Sequence, residues 1–214
     1  PLSAISGYAA LLASGMNGPL SDEQQHSVER IRLASRELLR LINDILSFSQ
    51  LDSGRVEVRM ETMPVASAVE RADALIRLRI EEAGLSFRAH DCEEAEIVAD
   101  PDRLQQVLLN LLTNAVKFTP SGGAISIGCE RAGDRVRIHV RDTGIGIAPE
   151  QLGRIFEPFV QLDPGAVQRG ERGVGLGLAI SRELTQAMDG DLTAVSAPGA
   201  GSTFTIDLRA APAR

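Results

Sequence analysis

The chain has 214 residues, 43% hydrophobic and 24% charged, the balance of a soluble globular protein long enough for one or two domains. A net charge of −7, the lack of tryptophan and an aromatic content of 3% argue against a nucleic-acid binder, which needs a basic face or stacking aromatics. No apolar run approaches the roughly 20 residues that span a bilayer, and no signal-peptide pattern is present. Cys92 and Cys129 are too few for a disulfide framework and lack metal-ligand company, a pattern that fits a reducing, cytoplasmic setting.

Periodicity predicts two helices over residues 1–51. In the first, Leu2, Ile5, Ala9, Leu12 and Met16 recur at alternating steps of three and four, and Asn17-Gly-Pro-Leu-Ser21 breaks it. Ser21 suits the N-cap of the second helix, with Asp22 and Glu23 where carboxylates complement the macrodipole. Val28, Ile31, Ser35, Leu38, Ile42 and Ile45 keep the same steps to about Gln50, and Leu39, Leu41 and Phe48 widen the stripe. A hairpin with so wide an apolar face cannot bury it alone, so a four-helix bundle made by two chains is expected. Packing of the hairpin on its own downstream domain is the alternative.

Asp52-Ser-Gly54 reads as a hinge. Val56 and Val58 then alternate with Arg55, Glu57 and Arg59 as in a strand, and Pro64 opens a helix through about Ala83. Short strands are expected at 85–90 and 96–98. Asp100-Pro-Asp102 starts an apolar helix carrying Leu104, Val107, Leu108, Leu111, Leu112 and Val116. Strands at 124–130 and 135–141 flank the hairpin signal Ala132-Gly-Asp134. A short helix at 149–156, a longer one at 177–188, strands at 192–196 and 203–208 and a frayed tail complete the chain. Because adjacent strands are mostly hairpin-linked, the expected class is α+β, with a mixed sheet covered by helices on one face.

Four segments carry chemistry. Asn110 and Asn114 stand four apart on one helical face, so both amides can enter one pocket; an amide oxygen is a hard ligand suited to Mg²⁺. Lys117, a turn further, can offer its ammonium to phosphate. Asp142 ends a strand before Thr-Gly144-Ile-Gly146, where a carboxylate can accept from the exocyclic amine of adenine and the glycines let backbone approach the ring. Gly173-Val-Gly175-Leu176-Gly177-Leu178 precedes a helix, whose free N–H groups favour anionic oxygens. No Gly-Lys-Ser/Thr follows, so this is not a Walker loop. The polar stretch from Gln161 to Arg172 reads as a lid with Arg169 and Arg172 as candidate phosphate contacts, and Gly199-Ala-Gly201-Ser-Thr203 as a turn beside the pocket.

This order, with Phe156-Glu-Pro-Phe159 between the second and third segments, resembles that of two-component sensor histidine kinases over nearly the whole chain. The resemblance implies a dimerisation and histidine-phosphotransfer hairpin at 1–51 and a Bergerat-type, GHKL ATP-binding α/β sandwich over 55–210. It implies ATP and Mg²⁺ as cofactors, Asn114 as the Mg²⁺ ligand and Asn110 as a polar group near the γ-phosphate. Asp142 would read adenine beside Gly144 and Gly146. Gly173, Gly175, Gly177 and the intervening Leu176 and Leu178 would lie at the phosphates, with Arg172 and Thr203 nearby. Phe156 and Phe159 would anchor the lid. The implied partners are a second copy through helices 1–51 and a response-regulator receiver domain, with no nucleic acid, and with membrane attachment left to segments outside this chain.

One departure from the pattern stands out. Pro1-Leu-Ser-Ala-Ile resembles the end of the family's His-Glu-x-x-Thr/Asn-Pro box, which would put the acceptor histidine five residues before Pro1. His26, His90 and His139 fall at a helix start, near a strand end and within a strand, where surface or packing roles are expected. The chain is therefore expected to bind ATP without phosphorylating itself at the family's site. Two rival readings are another ATPase of the same superfamily and a non-catalytic module that docks a response regulator. The first generally needs a glutamate base in the helix where Asn110 stands, and residues 103–117 contain no Glu. An intact set of Asn110, Asn114, Asp142 and glycines argues against the second.

Overall fold

The computed structural model describes residues 1–16, 18–52, 57–90, 92, 95–161 and 175–212, which divide into two units, Pro1–Ser49 and Gln50–Arg214. The first is a helical hairpin of α1 (Leu2–Ala13) and α2 (Asp22–Asp52). Met16, expected to extend the first stripe, lies beyond α1 and is exposed. Ser21 caps α2 through a reciprocal pair: its Oγ accepts from Gln24 N at 3.3 Å, and Gln24 Oε1 accepts from Ser21 N at 2.9 Å. This is a capping box, satisfying two donors that the first turn would leave orphaned.

The second unit holds β1 (Glu61–Pro64), α3 (Val65–Glu82), β2 (Ser86–His90), β3 (Glu96–Ala99), α4 (Pro101–Phe118), β4 (Ala124–Ala132), β5 (Arg135–Asp142), α5 (Pro149–Leu152), α6 (Gly177–Ala187), β6 (Asp191–Ala197) and β7 (Gly201–Arg209). Five strands form one sheet in the order β2-β4-β5-β7-β6, parallel only between β2 and β4. The mixed sheet covered on one face, by α3, α4 and α6, is as expected. On β5, Val136, Ile138 and Val140 face the helices while Arg135, Arg137, His139 and Arg141 face outward, the period-2 alternation of a half-buried strand. Strands β1 and β3 make a separate antiparallel pair.

Helix α4 is the centre of the core. Leu104, Val107, Leu108, Leu111 and Leu112 are all at 1% exposure or less, and each buried leucine contributes roughly 2 kcal/mol of apolar transfer. Asp100 fixes where the helix begins. Its Oδ1 accepts from Asp102 N and Arg103 N at 3.0 Å each, and its Oδ2 accepts from Arg59 N at 2.8 Å. Burial pushes the Asp100 carboxyl up, but these three backbone donors outweigh it and hold the group below its ordinary value of 3.8.

Several expectations need correction. The strand placed at Arg55–Arg59 is found at Glu61–Pro64; residues 55 and 56 lie outside the described ones, and the Arg59 N–H goes to Asp100 rather than to a strand partner. The short helix spans only Pro149–Leu152. The tail is not frayed at its start: Ala210 N donates to Asp134 O, Ala211 N donates to Glu96 O, and both alanines are buried. Cys92 and Cys129 are not free but joined by a disulfide, with Cα atoms 4.9 Å apart. Parallel pairing of β2 with β4, which no local pattern discloses, brings them together: His90 lies opposite Gly128, two residues before Cys92 and one before Cys129.

Candidate functional site

The end of β5 builds one wall. Asp142 continues the inward alternation of that strand and so is buried, 5% exposed. Burial pushes its carboxyl above the ordinary carboxylate value, against the opposing pull of hydrogen bonds from Gly144 and Ser202. Oδ1 accepts from Gly144 N at 2.7 Å and from Ser202 N at 3.3 Å. A carboxylate has about four lone-pair sites, so capacity remains for a further donor.

The loop after Asp142 is clasped from both sides. Ile145 N donates to Phe118 O at the end of α4, Ile145 O accepts from Gly199 N, and Ile147 N donates to Ser196 Oγ at 2.8 Å. Gly146 sits at φ 71°, where a side chain would run into the backbone carbonyl of Ala197. The expected turn at 199–201 thus packs against the Asp142-Thr-Gly-Ile-Gly146 segment.

Helix α4 supplies the second wall. Asn110, Asn114 and Lys117 share its half-buried flank, beside the fully buried leucine face. Asn110 Nδ2 donates to Ser181 Oγ on α6 at 2.8 Å. Gly177, the first residue of α6, lies against the same amide, and a Cβ there would strike the Asn110 carbonyl. The glycine is therefore needed for close approach of α6 to α4, besides whatever its N–H offers a ligand. Lys117 Nζ lies 5.2 Å from the centroid of the Phe118 ring.

Around the start of α6, Leu176 is its N-cap residue and is 1% exposed, so its side chain belongs to the core, while Leu178 is half-buried. Phe156 lies under the guanidinium of Arg182, Cζ 5.1 Å from the ring centroid. Phe159 has φ 64° and is exposed, and its N–H donates to Gly175 O at 3.0 Å. The Phe-Glu-Pro-Phe segment therefore adjoins the glycine run that precedes α6. Arg172 and Gly173, with Arg169 and the rest of the expected lid between 162 and 174, lie outside the described residues.

Thr203 does not share a face with Asp142. It stands opposite Arg141 on the outer face of the sheet, whereas Ser202, opposite Asp142, is on the helix side and bonds that carboxylate. Strand alternation, one residue out of phase, makes the difference. Ser181 and Ser202 are the residues sequence reading passed over. Ser181 had a signal, being four residues after Gly177 on the buried face of α6.

A mixed sheet covered by helices on one face, with a buried carboxylate at the end of a central strand, is the frame in which the comparisons with known proteins fall. Residues 99–212 match the histidine kinase-, DNA gyrase B- and HSP90-like ATPase family, and residues 1–54 match the His Kinase A (phospho-acceptor) domain. The chain belongs to this family, as the catalytic core of a two-component sensor histidine kinase. It is 39% identical over 216 residues to the non-motile and phage-resistance protein of Caulobacter vibrioides, a match covering 98% of this chain and 26% of that protein. It is 38% identical to histidine protein kinase DivJ of the same organism, covering 97% and 35%. It thus spans about a quarter to a third of the length of these relatives. Among solved structures, full-length ShkA in complex with AMPPNP superposes with a TM-score of 0.83 at 35% identity, over all of this chain and 44% of that one. Acinetobacter baumannii histidine kinase AdeS shares the fold with a TM-score of 0.70 at 21% identity, over 98% and 94%.

Proposed function

We propose that residues 55–210 bind Mg-ATP and that its γ-phosphoryl group passes to a histidine, for relay to the aspartate of a response-regulator receiver domain, with residues 1–51 forming the dimerisation and phosphotransfer hairpin. Asp142 carries the reading. It is a buried carboxylate held by Gly144 and Ser202 with acceptor capacity left over, which suits an exocyclic amine. Gly144 and Gly146 let the backbone lie close to a flat base. Asn110, Lys117, Gly175 and the N–H groups opening α6 would meet the polyphosphate, and the family pattern assigns Arg172 and Gly173, outside the described residues, to the same end. The AMPPNP complex of ShkA supports the nucleotide assignment.

A magnesium ion bound with the nucleotide would supply charge that neutralises the phosphates. An amide oxygen fits one, being a hard neutral ligand, and magnesium takes few protein ligands alongside phosphate and water. Asn114, one turn beyond Asn110, would hold it through its amide oxygen. Phe156 and Phe159 would support the covering segment. His26, His90 and His139 do not stand where the family's box would put the acceptor. The hairpin's exposed apolar stripe supports pairing with a second copy.

The test supplies a separate hairpin that carries an acceptor histidine, together with Mg-ATP labelled at the γ-phosphate. Acid-labile label on the hairpin is expected, and its loss is expected with Asn114→Ala. No transfer despite demonstrated ATP binding would overturn the kinase reading.

A further inference from the structure

We infer that Cys92 and Cys129 form a reversible thiol–disulfide couple that controls how firmly the N-terminal end of α4 is anchored. The inference rests on the ATP-binding reading: a protein that consumes ATP works in the reducing interior where ATP is kept, and disulfides there are mostly transient and redox-responsive. The bridge is also superfluous to the core. Small secreted domains use disulfides in place of a hydrophobic core, whereas this unit already buries α4, the inner faces of β4, β5 and β7, and much of α3.

The position of the bridge supports a switching role. Strand β2 is an edge strand with mostly exposed residues and a single neighbour in the sheet, so local opening there exposes the sulfurs without dismantling the centre. Cys92 lies two residues beyond β2, and Cys129 lies on β4. Cys92 O accepts from Ala95 N at 3.4 Å, and Ala95 O accepts from Val65 N, the first residue of α3, at 2.8 Å. Strand β3 follows directly and delivers Asp100, the cap of α4. The covalent loop, 37 residues in separation, encloses all of α4 with Asn110 and Asn114. A closed bridge adds a covalent tie between β4 and the segment that leads through Ala95 into β3; an open one leaves that segment its backbone hydrogen bonds and the β1–β3 pairing without the covalent tie.

The chemistry is a two-electron exchange with a low-molecular-weight disulfide such as oxidised glutathione. The thiolate of one cysteine attacks the oxidant's sulfur and expels one small thiolate. The second cysteine thiolate attacks the protein sulfur of the mixed disulfide, closes Cys92–Cys129 and expels the other. Two protein thiols are oxidised, one small disulfide becomes two thiols, and two protons pass from the protein thiols to the released thiolates.

The experiment equilibrates the folded chain in glutathione buffers of graded ratio at neutral pH, traps thiols by alkylation and reads the mass. On the fully oxidised and fully reduced forms it also measures amide hydrogen exchange over residues 95–118 and affinity for an ATP analogue. Opening and closing within the buffer range, faster exchange at the start of α4 when reduced, and about fivefold weaker nucleotide binding when reduced are expected. The variant C92S/C129S should behave as the reduced form in every buffer. A bridge that stays closed at the most reducing ratio, or opens only with loss of secondary structure, would overturn the couple. Unchanged exchange with equal affinity would overturn its link to α4. Failure of both forms to bind the analogue would count instead against the ATP reading, and the alkylation and exchange readouts would still decide the couple.

Discussion

In the hairpin, Ile5, Leu11, Ile31, Leu38, Ile42 and Ile45 are all at 39% exposure or more, whereas Leu104, Leu108, Ile127, Ile138 and Ile206 of the α/β unit are fully buried. The residue types are the same and the environments are opposite. The α/β unit closes its core within one chain, by laying α3, α4 and α6 on the sheet. Two helices offer no second layer, so the hairpin's stripe stays open to a partner surface. Folding and site geometry are thus expected to be properties of the α/β unit, and assembly a property of the hairpin.

The largest expected effect tests that division directly. Ile31→Asp combined with Leu38→Asp removes four buried side chains from a two-chain bundle, roughly 6 kcal/mol or more, and sedimentation should then show monomers at micromolar concentration. Nucleotide affinity of the α/β unit should not change; a parallel loss would show that the units are not independent.

Opening the disulfide comes next. Releasing a loop of 37 residues costs about 4 kcal/mol in the chain-entropy account, so reduction or C92S/C129S should lower the melting temperature of the α/β unit by roughly 10 °C and leave the hairpin's helicity alone.

Asp142→Asn should weaken ATP binding about thirtyfold, the scale of a lost charge-assisted hydrogen bond of about 2 kcal/mol. Stability should move the other way. Burial raises the carboxyl's value in the folded state, so the stability linked to its protonation is present in acid and lost as pH rises through that value. At neutral pH the ionised form is a net cost without ligand, and the amide should melt no lower than the parent, with the difference shrinking in acid. A melting temperature several degrees lower at pH 7 would contradict this account of the site.

The smallest effect concerns the cap of α4. Asp100→Ala should cost about 1 kcal/mol at neutral pH. Because Asp100 is held below 3.8 in the fold, its contribution is present above that value and fades as pH falls through the folded-state one. Thermal melts of parent and variant should therefore converge in strong acid.

Most elements could be read locally. The capping serine at 21, Asp100-Pro at the start of α4 and the alternation along β4 and β5 each carry their own signal, and the resemblance named the fold. What escaped depends on distant pairing. Arg59 leaves its expected strand because Asp100, 41 residues on, takes its N–H. Ala210 and Ala211 are held by Asp134 and Glu96, which no tail composition reveals. The cysteine bridge depends on a parallel crossover, and Ser202 rather than Thr203 faces Asp142 through register alone. In the site, Asp142, Gly146 and Asn110 were legible as chemistry, but the grip of Ser181 on Asn110 needed the approach of α6 to α4.

The most direct measurement titrates the chain calorimetrically with ATP and with inosine triphosphate, which has a keto oxygen where adenine has its amine. If Asp142 accepts from that amine, ATP should bind about tenfold or more tightly than the inosine nucleotide, and Asp142→Asn should remove most of the difference. Equal affinity for the two nucleotides, or a preference that survives Asp142→Asn, would contradict the claim that this carboxylate reads the base.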